Sequence, residues 1–221
     1  MNSSSQGGLT VEFSVAQRDV AVSFTVPAGN VLALLGPNGS GKSTTLMALA
    51  GWLIPDVGRA SLHGKCLFDC AGPGRQPNVW VPAEHREIGY LSQEHHLFPH
   101  LSVLDNIMYG MQRSGLTSRR ARQAAAEHWL ERVGLPNFGK HKPHQLSGGQ
   151  AQRVAIARIL ASGPRLVLLD EPFAALDVKA APALRELLAE VIQDLTVILV
   201  THHQADVDAL ADETYRLTPS P

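Results

Sequence analysis

Residues 35–51, LGPNGSGKSTTLMALAG, constrain the fold of this chain more than any other stretch. Gly36, Gly41, Lys42 and Ser43 satisfy the G-x-x-x-x-G-K-[ST] pattern of a phosphate-binding loop. The apolar run VLALL at 31–35 has strand length, and good helix formers without a breaker follow until Gly51. Strand, glycine-rich turn and helix is the context such a loop requires. Glycines at 36, 39 and 41 let backbone N–H groups close around a phosphate without a Cβ in the way. The helix N-terminus adds partial positive charge at the same point. Pro37, Asn38 and Ser40 complete the loop, and Thr44 follows it into the helix. Lys42 can reach the outer phosphates, and the Ser43 hydroxyl suits Mg2+. With glycine at about 7% of residues, a chance match in a chain this long is on the order of one in a hundred. A nucleotide site in an α/β core is expected.

The composition narrows the setting. A length of 221 residues allows one sizeable α/β core with an inserted subdomain. Lys and Arg total 19 against 20 Asp and Glu, a net charge of −1, without the basic excess that nucleic-acid binding demands. The adjacent pairs His95-His96 and His202-His203 do not share a face, which argues against a metal site built on them. Cys66 and Cys70 fit a reduced, cytosolic protein better than a disulfide framework. The opening MNSSSQGGL lacks the charged and apolar regions of a signal peptide, and residues 1–8 read as a tail. No run approaches the roughly eighteen apolar residues that span a bilayer, so any membrane role is expected from the aqueous side.

Residues 9–16 and 20–26 alternate apolar and polar around the turn Gln17-Arg18-Asp19, which predicts a β-hairpin. A second strand pair is expected over 59–68 around His63-Gly64-Lys65, followed by a loop over 69–79. A strand over 86–91 leads to Gln93. Residues 94–145 then change to helical spacing, with helices expected at 102–109 and 119–133 in an inserted helical subdomain. A helix at 150–161 is capped by Ser147 and two glycines. The buried strand 166–169 ends at Asp170-Glu171, and a helix spans 179–193 with Pro182 in its first turn. A β-branched strand at 196–200, a short helix at 204–210 and a strand at 214–217 complete the chain. Strands alternating with helices imply a mostly parallel central sheet covered on both faces, within one domain spanning 9–217.

Two further stretches carry chemistry. Asp170 and Glu171 at a buried strand end are either a solvated acidic turn or, beside a phosphate loop, a Mg2+ ligand and a general base. Ser147-Gly148-Gly149-Gln150 opens a helix as a cap, and is also a second anion site at a positive helix end. One nucleotide does not need two such cradles in one chain. A head-to-tail dimer does, each copy closing the other's site.

Six motifs in order resemble the ATP-binding cassette (ABC) family over residues 9–217. They are GPNGSGKST as Walker A, Gln93 as the Q-loop glutamine, LSGGQAQR as the signature, LVLLDEP as Walker B, Ala174-Ala175-Leu176-Asp177 as the D-loop, and His202 as the switch histidine. The resemblance implies a P-loop NTPase fold with an antiparallel β region and a helical insertion, and it implies ATP and Mg2+ as cofactors. Gln93 would join Ser43 and Asp170 on the metal. Glu171 would act as general base, with His202 at the γ-phosphate. Ser147, Gly148, Gly149 and Gln150 would meet the nucleotide of the other subunit, and Asp177 would link the two sites. The sequence departs from the family pattern at Ala175, Ala151 and His203. The first hairpin has no tyrosine to stack on adenine, so Phe13 is either that aromatic or a core residue. The resemblance ends near residue 217, and regulation through the C-terminal domain that many importer ATPases carry is not expected.

Residues 82–106, including IGYLSQ and LFPHLSV, are similar to importer ATPases for molybdate, sulfate, ferric iron, thiamine and polyamines, and combined with Tyr109-Gly110 they look most like the molybdate/tungstate type. By that resemblance the chain sits peripherally at the cytoplasmic face of the membrane. It docks a permease along Gln93–Val103, where Leu97, Phe98, Leu101 and Val103 either offer an apolar edge to a short helix or pack the insertion internally, and it serves a solute-binding protein only indirectly. A soluble ABC ATPase acting on DNA or ribosomes usually has coiled coils or two cassettes, and neither is present. A P-loop kinase has no use for the signature or the switch histidine.

Overall fold

The computed structural model describes residues 7–92, 97–111, 115–174, 176 and 180–217. The chain forms two compact units: Met1–Ile88, Arg165–Asp170 and Ile192–Pro221 in one, Gly89–Pro164 and Glu171–Val191 in the other.

The first unit contains an antiparallel sheet in the order β2-β1-β4-β5-β6. Strands β1 (Leu9–Val15) and β2 (Val20–Val26) form the expected hairpin, joined by a 3-10 turn at Ala16–Arg18. Every second residue of both strands is buried, as the two-residue strand period dictates. Strand β1 also pairs with β4 (Val57–Leu62), and β4 with β5 (Lys65–Ala71). The loop expected over 69–79 is shorter than the sequence implied. Strand β5 runs on to Ala71, and β6 (Val79–Trp80) returns against it with Asp69 opposite Val79. Buried Phe68 and Cys70 carry that strand past the point where the Gly-Pro-Gly cluster signalled a turn. Burial, aided by Asp69, pushes the Cys70 thiol up, which keeps it protonated and inert. Gly8, assigned to the tail, accepts a hydrogen bond from the His63 N–H at 2.8 Å; residues 1–6 lie outside the described residues.

A second sheet is parallel, with β10 (Glu213–Arg216), β3 (Val31–Leu35), β9 (Thr196–Val200) and β8 (Leu166–Asp170) as successive neighbours. All five residues of β8 and of β9 are buried, which accounts for their unbroken apolar sequence. Helix α1 (Lys42–Ala50) follows β3, and α6 (Gln204–Leu210) follows β9. Arg86 closes the far end of α1. Its Nη1 donates to the carbonyls of Ala48 and Leu49, each at 2.7 Å, and its Nε donates to Val81 O at 2.7 Å. The guanidinium also lies 4.4 Å from the Trp80 ring centroid. Burial lowers its pKa to about 10, still far above neutrality. A permanent cation therefore meets the negative end of the helix whose other end is the phosphate loop.

Strand β7 (Ile88–Leu91) leads into the second unit, which holds α2 (Val103–Gly110), α3 (Arg119–Arg132), α4 (Gly148–Leu160) and α5 (Ala180–Val191). Helices α2, α3 and α4 share one apolar cluster around Ile107, Leu130 and Val154. Pro182 is the third residue of α5, within the first turn where proline is tolerated. Ser102 caps α2 by accepting from the Asp105 N–H at 3.0 Å. Fully buried Asn106 pins the preceding loop: its Nδ2 donates to Ser102 O at 2.9 Å and its Oδ1 accepts from Phe98 N at 2.8 Å. Val103 belongs to the cluster, with no exposed surface, so it cannot edge a docking groove as expected. Apolar spacing in sequence is the same for an inward and an outward helix face. An open groove in this unit keeps Leu101 of the expected edge and is otherwise lined by Asp105, Met108, Tyr109, Arg119 and Arg122.

Candidate nucleotide-binding site

The loop between β3 and α1 is shaped by its glycines. Gly41 is the N-cap of α1 with φ 96, and a Cβ there would collide with the γ-methyls of Val20. Gly36 has φ 152, and a Cβ there would collide with Ser40 Oγ and the Leu217 carbonyl. Neighbouring chain fills the space a side chain would need. Pro37, Asn38 and Gly39 are exposed at the tip, and the Ser40 N–H donates to Pro37 O at 3.2 Å. Lys42 is buried along its stem, and its ammonium donates to Gly36 O at 2.7 Å and Pro37 O at 2.9 Å. Ser43 is exposed; Thr44 is buried and accepts from Arg18 Nη1 at 3.3 Å.

Strand register aligns the remaining groups of this unit. Leu34 is level with Val200, and Val200 with Asp170. The loop after β3, Asp170 at the end of β8 and Thr201-His202 after β9 therefore leave the sheet at one edge, the C-terminal edge where open α/β sheets bind ligands. With strands about 4.8 Å apart and β9 between them, β3 and β8 are about 10 Å apart. Asp170 is buried. Glu171, the next residue and the first of the second unit's Glu171–Val191 segment, has φ 49, a left-handed conformation that costs a non-glycine residue about 1–3 kcal/mol. Thr201 Oγ1 donates to buried Asp206 Oδ2 at 2.6 Å and accepts from the His203 N–H at 3.1 Å. This pins the turn that presents exposed His202. Because the turn is neither helix nor strand, the His202 ring centroid lies 3.9 Å from that of His203, so the two rings meet where alternation predicts opposite faces.

In the second unit, Ser147 caps α4 through a reciprocal pair of bonds. Its Oγ accepts from the Gln150 N–H at 3.3 Å, and its own N–H donates to Gln150 Oε1 at 2.9 Å. Ser147 and Gly148 are exposed, while Gly149 and Gln150 are half-buried, at the positive end of a 13-residue helix.

Phe13 requires a correction. It is 4% exposed and packs edge-on to Phe68 at 5.7 Å, so its ring is a core element and offers no face to a base. Its place on the inward face of β1 decides this. Gln93 and Asp177 lie outside the described residues. Sequence reasoning missed Arg18, Val20 and Asp206. A chain-reversing turn gives no spacing signal for Arg18 or Val20. Asp206, an acid in the first turn of α6, was the one with a readable cue.

The residues present fit a Mg2+-nucleotide. Among the described residues no side chain caps α1, and Ser40 Oγ is a buried hydroxyl without a partner, so both suit phosphate oxygens. The Ser43 hydroxyl and Asp170 carboxylate are hard oxygen donors of the kind Mg2+ takes beside substrate phosphates.

Comparison with known proteins agrees with this geometry. The family model for the ABC transporter matches residues 20–174. The molybdenum import ATP-binding protein ModC of Mycobacterium tuberculosis (strain H37Rv) is 48% identical over 203 residues, 90% of this chain and 54% of the relative. The Fe(3+) ions import ATP-binding protein FbpC of Pseudomonas fluorescens is 45% identical over 195 residues, 87% of this chain and 52% of the relative. The chain thus spans about half the length of these relatives. The ATP-binding cassette MJ0796, solved as a dimer in a post-hydrolysis state bound to ADP and Pi, superimposes with a TM-score of 0.76 at 29% identity, covering 96% of this chain and 93% of that one. The P-loop α/β architecture is that of an ABC ATPase, and the chain belongs to the ABC transporter family as an ATP-binding domain.

Proposed function

We propose that this chain hydrolyses ATP as the ATPase subunit of an ABC importer, and that the cargo is molybdate or a related oxyanion. The common sheet edge of the phosphate loop, Asp170 and His202 is the observation that carries the ATPase reading. The loop from Gly36 to Gly41 cradles the phosphates, Lys42 neutralises the outer ones, and Ser43, Asp170 and Gln93 hold Mg2+. When bound, the metal neutralises charge developing on the phosphate oxygens. Glu171, whose backbone occupies the left-handed region at the end of β8, accepts a proton from the attacking water. His202 contacts the γ-phosphate from a turn held by Thr201 and Asp206.

The exposed Ser147-Gly148 helix end supports a head-to-tail homodimer that forms on ATP, with Gly149 and Gln150 backing that surface and Asp177 linking the sites. The groove beside α2, of about 430 Å3, mixes apolar Leu101, Met108 and Tyr109 with charged Asp105, Arg119 and Arg122. It suits a short helix from a permease, with a solute-binding protein engaged only through that permease. Among the described residues no helix is long and apolar enough to cross a membrane, and the importer reading makes the chain peripheral at the cytoplasmic face. Molybdate rests on the ModC similarity, and ferric iron is the second reading because the FbpC relatives are nearly as similar. Deleting the gene and following uptake of labelled molybdate and labelled ferric iron tests both. Loss of molybdate uptake alone, restored by the wild-type gene and not by Glu171→Gln, is expected. Loss of iron uptake alone favours the second reading, and normal uptake of both removes both cargo assignments.

A further inference from the structure

The end of the β1–β2 hairpin lies against the phosphate loop. Asp19, with φ 51, reverses the chain after the 3-10 turn, and the next residue, Val20, occupies the space beside Gly41. That packing brings Arg18 over the start of α1. Its Nη1 donates to Thr44 Oγ1 at 3.3 Å. Thr44 is the third residue of α1, within the turn whose N–H groups have no intrahelical acceptor. The Arg18 side chain is otherwise exposed and has no carboxylate partner among the described residues. The aromatic rings of this hairpin, Phe13 and Phe24, are both buried. Arg18 is thus a charged side chain of the hairpin that bonds the start of α1.

We propose that Arg18 is a nucleotide-binding residue whose guanidinium, steered by Thr44, contacts the phosphate chain at the α1 end of the loop. The inference rests on ATP binding at this loop and not on the transport reading. A planar guanidinium has two ways to hold a nucleotide: forked bonds to phosphate oxygens, or stacking on the base. Its position favours the first. The head of Arg18 is tied to a hydroxyl among the helix N-terminal donors, where phosphate binds. Lys42 meanwhile bonds the carbonyls at the opposite end of the loop, so the two cations serve different phosphates.

The test is displacement of mant-labelled ATP by ATP and by inorganic tripolyphosphate, which has no base. Arg18→Gln keeps much of the reach and removes the charge. It is expected to weaken both competitors by the same factor, about ten-fold, as loss of one charge-assisted contact does. Arg18→Lys recovers most of that loss, and the difference between Arg18→Gln and wild type shrinks as salt rises. Because the side chain is exposed, the melting temperature stays unchanged in both variants. If Arg18→Gln weakens ATP and leaves tripolyphosphate unaffected, Arg18 stacks on the base and the phosphate assignment is wrong. If neither affinity changes, Arg18 is an ordinary surface residue. Failure of the wild-type chain to bind either competitor removes the nucleotide site itself, and this inference with it.

Discussion

At the scale of single residues, Glu171 and Phe13 are separated by what their backbones and neighbours permit. Glu171 occupies left-handed backbone space directly after a fully buried strand, and such strain persists where function holds it. Glu171→Gln keeps the shape and removes the proton acceptor. Hydrolysis should fall by about 10²–10⁴-fold, the usual contribution of a positioned general base, while the affinity for ATP stays near wild type. Single-turnover hydrolysis together with equilibrium binding separates the two quantities, and turnover within a few-fold of wild type would reject Glu171 as the base. Phe13 is the opposite case: a residue whose motif-like position suggested a ligand contact and whose burial assigns it to the core. Phe13→Ala should cost about 3–5 kcal/mol of stability and leave ATP affinity unaltered in the folded fraction. A stable variant with weakened ATP binding would restore the stacking role.

At the scale of elements, helix α1 is defined at both ends by contacts that local sequence does not announce. Arg86 lies 37 and 38 residues from the carbonyls it closes, and its value comes from being buried with them. Arg86→Gln leaves at least one helix-terminal carbonyl without a donor and should destabilise the chain by about 3 kcal/mol, read as a lower urea midpoint at unchanged slope. An unchanged midpoint would mean that water replaces the guanidinium and the cap is incidental. The same contrast explains what was legible in the sequence. Strands β1, β2, β8 and β9, the cap of α4 and the phosphate loop were readable because each is specified by period or by a short pattern of turn chemistry. Arg18, Arg86 and the Thr201–Asp206 pair were not, because each becomes meaningful only when separate segments, or a turn and the helix after it, are brought together. Val103 and Tyr109 show the complementary limit. Both are apolar residues of one helix, yet one is fully buried and the other is 49% exposed, because neighbouring helices decide which face is covered.

At the scale of the whole molecule, the proposed head-to-tail dimer requires the signature helix to meet a nucleotide held by a second copy. Ser147 allows this to be tested without disturbing the fold. Its structural duty is to cap α4, a role aspartate fills about as well as serine. Ser147→Asp should therefore keep the melting temperature close to that of wild type, and the ATP affinity of the isolated chain with it. What changes is the charge presented to a partner: a carboxylate now faces the place where a γ-phosphate is expected, in a closed interface where like charges repel strongly. In a Glu171→Gln background, where ATP persists, light scattering should report a dimer with ATP and a monomer without it. Adding Ser147→Asp should leave the chain monomeric with ATP. Arginine at 147 would give the same loss by bulk alone, so aspartate, with its small size and intact cap, isolates the electrostatic contact. An ATP-dependent dimer that survives Ser147→Asp would mean that the signature helix does not meet the partner's phosphate, and the second anion cradle would be only a helix cap.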